Sequence, residues 1–193
     1  MNIIFATQNH GKSKEVKHVF NGTQYKIISL YDLGNNIEIE ETGVTFQENS
    51  ILKAKSIYDI YKVPVIADDS GLEIQHLEGR PGVYSARYAG ENCTYDDNNK
   101  KVLDELSQFE EPYLAKFICY AVYYDGQKLV ESIGELPGKI TRDIRGTKGF
   151  GYDPIFIPNG FDTTLAELDL DIKNKISHRG KAFKSLKELL SKV

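Results

Sequence analysis

Two adjacent aspartates stand directly after a short apolar run of this sequence, in the stretch Val65-Ile66-Ala67-Asp68-Asp69-Ser70-Gly71. Carboxylates beside a buried strand are unfavourable unless a cation balances them. Because neighbouring side chains of an extended strand point to opposite faces, we do not expect Asp68 and Asp69 to share one ion. We predict that one acid serves a functional site while the other supports a turn that begins at Ser70.

Further carboxylates lie in the acidic segment IEIEETG, which contributes Glu38, Glu40 and Glu41. Oxygen ligands without neighbouring His or Cys indicate Mg²⁺ or Mn²⁺ rather than zinc. These ions usually keep several water ligands and bridge to the phosphates of a substrate. A solvated loop is the alternative for the three glutamates, and it is the interpretation that we favour for Glu38.

The segment ATQNHGKS, residues 6–13, lies between a predicted strand and a predicted helix. Its position and spacing match a loose P-loop pattern in which Ala6 replaces the first glycine. A P-loop kinase or NTPase is therefore an alternative function. In that case Lys12 and Ser13 would bind phosphate and metal, and the Asp68-Asp69 pair would form the acidic strand end.

The polar side chains of the same loop favour a different way of binding an anion. Ala6 lacks the backbone freedom of the glycine that it would replace, and Gly11 is the one glycine of the loop. The hydroxyl of Thr7, the amide of Asn9 and the ammonium of Lys12 can bind phosphate together with N–H groups at the helix start. We predict an anion site here, and a polar turn with an exposed lysine is the alternative.

The segment RGTKGFGYDPIFIP, residues 145–158, is a loop rich in glycine and aromatic residues whose Asp-Pro pair precedes a predicted apolar strand. Glycines let the backbone approach a ligand closely, and the ring of Phe150 or Tyr152 could stack on a planar base. The segment could equally be a hairpin turn whose aromatic rings pack on the core. The residues alone leave both interpretations open.

A basic segment, KNKISHRGKAF, precedes and opens the last predicted helix, which begins near Ser177. His178 and Arg179 fall in its first turn, where the helix dipole disfavours cations. A ligand rich in hydrogen-bond acceptors would account for them, and Lys173 lies just upstream. We therefore predict that His178 and Arg179 contact a ligand.

Apolar periodicity predicts the elements that place these residues. Thr45 and Glu48 have the spacing of a capping box, and Ile51, Ala54 and Tyr58 continue a helical period behind it. Strands are predicted at residues 2–6, 25–30, 65–67, 115–124 and 128–134, and further helices at 12–20, around 102–106 and from 177 onward. Short βαβ units combined with a long hairpin indicate an elongated α/β fold with a mixed sheet.

Composition limits the class of protein. The chain has 193 residues, 40% of them hydrophobic, and we predict one domain over residues 1–193. The net charge of −4 gives no overall positive field, so we expect no nucleic-acid partner. We expect no membrane span, because no apolar run approaches the roughly 20 residues that one needs, and no export signal. The two cysteines, Cys93 and Cys119, lie far apart and form no CxxC pair. We expect them to be reduced thiols of a cytoplasmic protein.

Six segments of the chain occur in the order and spacing of the inosine triphosphate pyrophosphatase family: FATQNHGK, EETGVTFQENSILKAK, VIADDSGL, GRPGVYSARYAG, KGFGYDPIF and ISHRGKA. The sequence resembles that family over essentially its whole length. The resemblance implies hydrolysis of ITP, dITP and XTP to the nucleoside monophosphate and pyrophosphate with Mg²⁺, for which Mn²⁺ is the alternative metal. It also implies flanking helices, two lobes around a central nucleotide cleft, and a homodimer.

The resemblance also implies roles for individual residues. Asp69 would be the essential acid, as metal ligand or as base toward the attacking water, and Glu41, preferred over Glu40, would assist with the metal. The substrate would be bound by Thr7, Gln8, Asn9, His10, Gly11, Lys12, Lys53, Ser70, Phe150, Gly151, Tyr152, Asp153, Lys173, His178 and Arg179. A nucleotide-binding regulator that does not hydrolyse is a further alternative, which the intact acid, lysine and His-Arg motifs disfavour.

Replacement of Ser13 separates the P-loop alternative from the pyrophosphatase interpretation. We expect Ser13→Ala to lower the turnover of ITP by no more than about threefold, since Ser13 is not among the implied substrate or metal contacts. A P-loop enzyme would lose nearly all activity, because the hydroxyl of that serine binds the metal. Steady-state kinetics with ITP and Mg²⁺ measure the difference.

Overall fold

Six strands form one sheet in the computed structural model, which describes residues 1–34, 37 and 39–192. In chain order they are β1 (Asn2–Phe5), β2 (Lys26–Ser29), β3 (Val65–Ile74), β4 (Tyr113–Tyr124), β5 (Leu129–Ile140) and β6 (Phe156–Pro158). The helices of the described residues are α1 (His10–Phe20), α2 (Leu30–Leu33), α3 (Phe46–Tyr61), α4 (Tyr95–Leu106), α5 (Leu170–Ile176) and α6 (His178–Leu190). None of these helices is long and apolar enough to cross a membrane.

The strands are ordered β2-β1-β3-β4-β5-β6 in the sheet. β1 is parallel to both β2 and β3, whereas β5 and β6 are antiparallel. The predicted α/β class with a mixed sheet and flanking helices is therefore confirmed. Phe5 stands opposite Ile66, so the loop that follows β1 leaves the sheet beside the acidic half of β3.

Several element bounds differ from the prediction. β3 extends seven residues past Ala67, β5 extends to Ile140, and α2 and α5 were not predicted, whereas the apolar strand expected after Pro154 is present as β6. Polar residues inside β3 interrupt its apolar pattern, and α2 is too short to show a period. The long helix behind the capping box is confirmed as α3.

The chain divides into two compact units, and the first comprises Met1–Asp69, Cys119–Gly134 and His178–Val193. Helices α1 and α6 pack on one side of its strands, where the rings of Phe5 and Phe183 meet edge to face at 5.4 Å. Helix α3 packs on a separate apolar cluster of this unit, with Ala54 and Ile57 fully buried. The three helices thus hold the strands that carry the acidic residues.

The second unit comprises Ser70–Ile118 and Glu135–Ser177 and has an apolar core of its own. Its fully buried residues include Leu72 and Ile74 of β3, Leu106 of α4 and Phe156 of β6. The single domain predicted over residues 1–193 stays a prediction, as do the elongated outline and the nucleotide cleft.

The capping box at the start of α3 yields a prediction about stability. Thr45 Oγ1 accepts a 3.1 Å hydrogen bond from the Glu48 N–H, and Glu48 Oε2 accepts one of 3.1 Å from the Thr45 N–H. Thr45→Ala should lower the free energy of unfolding by about 1 kcal/mol, because one N–H at the helix start loses its acceptor. Thr45→Ser keeps the hydroxyl and is the control. Equal urea midpoints for the two variants would contradict this role.

Candidate functional site

Asp68 and Asp69 lie inside β3 and are almost fully buried, with exposed fractions of 2% and 6%. Asp68 Oδ2 lies 3.1 Å from Lys12 Nζ and accepts a 3.2 Å hydrogen bond from Arg179 Nε. Asp69 Oδ1 instead lies 3.4 Å from Lys53 Nζ. The two acids contact different cations, as the alternation of the strand predicted.

The turn predicted at Ser70 is wrong, because β3 continues through Ser70 and Gly71 to Ile74. Asp68 therefore does not shape a turn. Its carboxylate balances two buried or half-buried cations, Lys12 and Arg179. Ion pairing allows a polar stretch to remain in a strand interior, and sequence periodicity does not reveal such pairing.

Lys53 of α3 lies between two carboxylates. Its Nζ is 2.7 Å from Glu41 Oε1 and 3.4 Å from Asp69 Oδ1. Asn49, one helical turn earlier, donates a 3.1 Å hydrogen bond to Asp69 Oδ2 and accepts one of 2.8 Å from the Gly43 N–H. Residues four apart share a helix face, so α3 presents an ammonium and an amide to the same aspartate.

Burial raises the pKa of Asp69 above its ordinary value, although the charges of Lys53 and Lys12 act in the opposite direction. Burial alone would lower the pKa of Lys53, but the negative charges of Asp69, Glu41 and Asp68 outweigh it and raise that pKa. Lys53 is therefore a cation at neutral pH. Asp69 is a stronger proton acceptor than an exposed aspartate, which suits activation of a water molecule.

The carboxylates of Asp69 and Glu41 are oxygen donors of the kind that Mg²⁺ prefers, and they are the residues that would hold such an ion. Both lie at Lys53 Nζ, so two oxygen ligands from different segments converge on one point. Mg²⁺ usually binds one or two carboxylates and completes its shell with water and substrate phosphates. Within residues 1–34, 37 and 39–192, no group of three or more His, Cys, Asp or Glu could hold a metal. Glu40 is exposed, and Glu38 lies outside the described residues.

The loop after β1 is held by its own side chains. Thr7 Oγ1 accepts a 3.2 Å hydrogen bond from the Asn9 N–H, and Asn9 Oδ1 caps α1 by accepting one of 3.1 Å from the Lys12 N–H. The ring of His10 lies 4.6 Å from that of Tyr31. Gln8 is exposed and Gly11 is half-buried. The predicted residues 7–12 thus surround the N-terminus of an eleven-residue helix, a position that favours anions.

The position of Ser13 disfavours the P-loop alternative. Ser13 is buried, and its hydroxyl donates a 3.0 Å hydrogen bond to Ser29 Oγ at the end of β2. A P-loop serine directs its hydroxyl to the metal beside the phosphates. Here that hydroxyl joins α1 to its neighbouring strand.

The glycine-aromatic loop of the second unit is organised around Asp153. The buried carboxylate accepts hydrogen bonds from the Phe150 N–H at 2.8 Å and from Lys173 Nζ at 2.6 Å. The same ammonium lies 4.7 Å from the centre of the Phe150 ring. Gly149 has φ +83°, and a Cβ there would overlap the Asp153 carboxylate. The loop therefore brings four predicted residues together: Phe150, Gly151, Asp153 and Lys173.

The structure separates the two aromatic residues of this loop. Tyr152 is buried in the core, and its hydroxyl donates to the Ser85 carbonyl at 2.8 Å. Phe150 is half-buried, and its stacking on a base stays a prediction. Asn99 of α4 supports the loop by donating a 3.1 Å hydrogen bond to the Gly151 carbonyl. Ser70 is half-buried in β3.

His178 and Arg179 open α6 and are both buried. Arg179 Nη1 lies 2.7 Å from Glu15 Oε2, and Nε bonds to Asp68. The charge of Arg179 at this helix start is thus balanced by carboxylates of the protein itself. The nucleotide contact of His178 and Arg179 stays a prediction.

Sequence reasoning missed Glu15, Asn49 and Asn99. All three are polar residues on the buried faces of helices. Glu15 lies between the buried residues Ser13 and Val16 of α1, and this mismatch with an apolar face is the signal that could have singled it out. A buried charge requires a partner, but the sequence does not say which one.

The chain matches the model of the Ham1 family over residues 3–189. It is 50% identical to the dITP/XTP pyrophosphatase of Bacillus subtilis over 97% of this chain and 96% of that protein. It is 46% identical to the dITP/XTP pyrophosphatase of Caldanaerobacter subterraneus over 100% of this chain and 97% of that protein.

A solved structure of a HAM1 protein from Coxiella burnetii has the same fold. It covers 100% of both chains with a TM-score of 0.90 and 38% sequence identity. The mixed sheet and its flanking helices are therefore shared with an experimental structure.

Conservative replacement of the two acids tests their separate roles. Asp69→Asn should lower kcat/KM for ITP by about 10²-fold or more, because it removes the proton acceptor and metal ligand. Asp68→Asn should cost less, about tenfold, because Asp68 acts by balancing Lys12 and Arg179. Thermal unfolding of both variants shows whether loss of fold contributes. A larger kinetic effect of Asp68→Asn would reverse the assignment.

Proposed function

The chain belongs to the Ham1 family, and from this premise we propose that it hydrolyses ITP, dITP and XTP to the nucleoside monophosphate and pyrophosphate. The observation that carries the proposal is the convergence of Asp69 and Glu41 on Lys53. Two carboxylates and a lysine at one point supply a metal site, a base and a positive charge for phosphoryl chemistry. The names of the relatives, dITP/XTP pyrophosphatase, support the choice of substrate.

The phosphate chain is assigned to the loop after β1. Thr7, Asn9 and Lys12 offer a hydroxyl, an amide and an ammonium at the N-terminus of α1, and Gln8, His10 and Gly11 contribute the backbone between them. This arrangement neutralises anionic oxygens with fixed donors, which requires little reorganisation during the reaction. Lys53 adds a second ammonium.

Asp69 is assigned to the attacking water, as its base, as a metal ligand, or as both. Asn49 and Lys53 each bind one oxygen of its carboxylate, and these two hydrogen bonds fix the orientation of the group. Asp69 and Glu41 would hold Mg²⁺, which would supply charge neutralisation at the phosphates. Glu41 also reduces the positive charge that Lys53 presents to Asp69, which keeps Asp69 basic.

The base is assigned to the second unit. Phe150 offers a ring for stacking, and Lys173 and Asp153 hold that ring in place. Ser70, Gly151, Tyr152, His178 and Arg179 are also assigned to the nucleotide, and these assignments rest on the family resemblance.

Specificity follows from hydrogen bonding to the purine. Hypoxanthine and xanthine carry a 6-keto acceptor and an N1–H donor, whereas adenine carries a 6-amino donor. A donor such as Arg179, His178 or a backbone N–H would bond the keto oxygen and be left unpaired by adenine. A site of this kind can reject the mismatched base by roughly 10⁴-fold.

We also propose a cytoplasmic homodimer with magnesium as its metal. The dimer and the metal rest on the family resemblance. The location is supported by the two free cysteines, Cys93 and Cys119, which are typical of reducing compartments. Light scattering coupled to gel filtration measures the oligomeric state.

The products of ITP hydrolysis test the proposed reaction. Incubation with ITP and Mg²⁺ should yield IMP and pyrophosphate in equal amounts, measured by ion-exchange chromatography and phosphorus NMR. Formation of IDP and orthophosphate would contradict cleavage between the α and β phosphates. ATP is the matched control and should react at least about 10²-fold more slowly. Chelation of the metal should abolish turnover, and added Mg²⁺ should restore it.

A further inference from the structure

A network of ion pairs in the first unit connects Glu15 of α1 to Lys12 of the same helix. Glu15 Oε2 lies 2.7 Å from Arg179 Nη1, and Arg179 Nε lies 3.2 Å from Asp68 Oδ2. The same Asp68 oxygen lies 3.1 Å from Lys12 Nζ. Glu15 and Arg179 are each 3% exposed, so the far end of the network is shielded from water.

The charges of these four side chains balance, two negative against two positive. A buried guanidinium that lost one carboxylate would draw more strongly on the other, because water cannot replace the missing partner. Burial by itself would lower the pKa of Arg179, but the charges of Asp68 and Glu15 outweigh it and raise that pKa. The arginine is therefore a fixed positive charge whose position depends on both acids.

The geometry of Arg179 transmits position as well as charge. Its planar guanidinium presents Nη1 and Nε in fixed directions, so anchoring one nitrogen orients the other. Glu15 anchors Nη1 and thereby aims Nε at Asp68. Asp68 then has one oxygen placed between a rigid arginine and the flexible ammonium of Lys12.

We propose that Glu15 is a positioning residue for hydrolysis: through Arg179 and Asp68 it holds the Lys12 ammonium where that group binds the phosphates. This inference rests on the proposed function, which makes Lys12 a phosphate ligand. Glu15 and Lys12 are three residues apart on α1 and thus lie on neighbouring turns of one helix face. The helix therefore carries both the phosphate ligand and the acid that indirectly fixes it.

The principal variant is Glu15→Gln, which keeps the size of the side chain and removes its charge. Arg179 should then pull Asp68 toward itself, and Lys12 should lose its fixed acceptor. We expect kcat/KM to fall about tenfold, by the same factor for ITP and XTP, because the affected ligand binds phosphate and not the base. A loss confined to one base would overturn the proposal, since it would mean that Glu15 acts on recognition of the base and not on Lys12.

A double-mutant cycle with Lys12→Ala separates positioning from general destabilisation. If Glu15 acts through Lys12, Glu15→Gln should cost less than about twofold when Lys12 is already alanine. Independent, multiplicative losses would overturn the proposal. Glu188→Gln on the exposed face of α6 is the matched control, and it should leave kcat/KM unchanged.

Glu15→Asp keeps the charge if the glutamine variant fails to fold. Its carboxylate is one methylene shorter, so we expect a loss of about three- to fivefold that again disappears in the Lys12→Ala background. Full activity of this variant would overturn the proposal, because charge balance alone would then suffice.

Wild-type release of pyrophosphate from ITP tests the proposed function separately: if it occurs and Glu15 variants are unaffected, only the positioning role fails.

Discussion

Asp68 and Asp69 are buried side by side in β3, and the strand turns them to opposite faces, where each meets a different set of cations. Much of the first unit's site follows from this pairing. Lys53 must come from a helix on one face, and Lys12 and Arg179 must come from helices on the other. The energetic cost of two adjacent buried carboxylates is large, so the helices that balance them are fixed in position as a consequence.

The two faces of β3 divide the chemistry. On one face, Asn49 and Lys53 bind Asp69, and Glu41 balances part of the positive charge of Lys53. This group suits water activation and metal binding. On the other face, Asp68 is shared between Lys12 and Arg179, and this group suits the phosphates. One strand thus places two acids next to each other, and each has its own nearest cation.

Helix α1 combines a polar N-terminus that suits an anion with a buried polar face that joins it to other elements. Its N-terminus and the Asn9 cap present N–H groups and Lys12 to an anion, as in many phosphate sites. Its buried face carries Glu15 and Ser13, which tie the helix to Arg179 and to Ser29. The loop resembles a P-loop in spacing, but its serine serves packing and its lysine is fixed by a carboxylate network.

The sequence by itself determined the mixed α/β class, the long α3 behind its capping box, the opposite orientation of the two aspartates, and the six segments that carry the family resemblance. These features depend on local periodicity, spacing and residue type, which a linear chain displays directly. Only the tertiary structure decided that Asp68 balances Arg179 and Lys12 rather than shaping a turn, that Tyr152 belongs to the core while Phe150 is half-buried beside Lys173, and that Glu15 joins the network. Each of these findings depends on a contact between a buried side chain and a partner far away in the sequence. Such long-range pairing leaves no periodic pattern in the sequence.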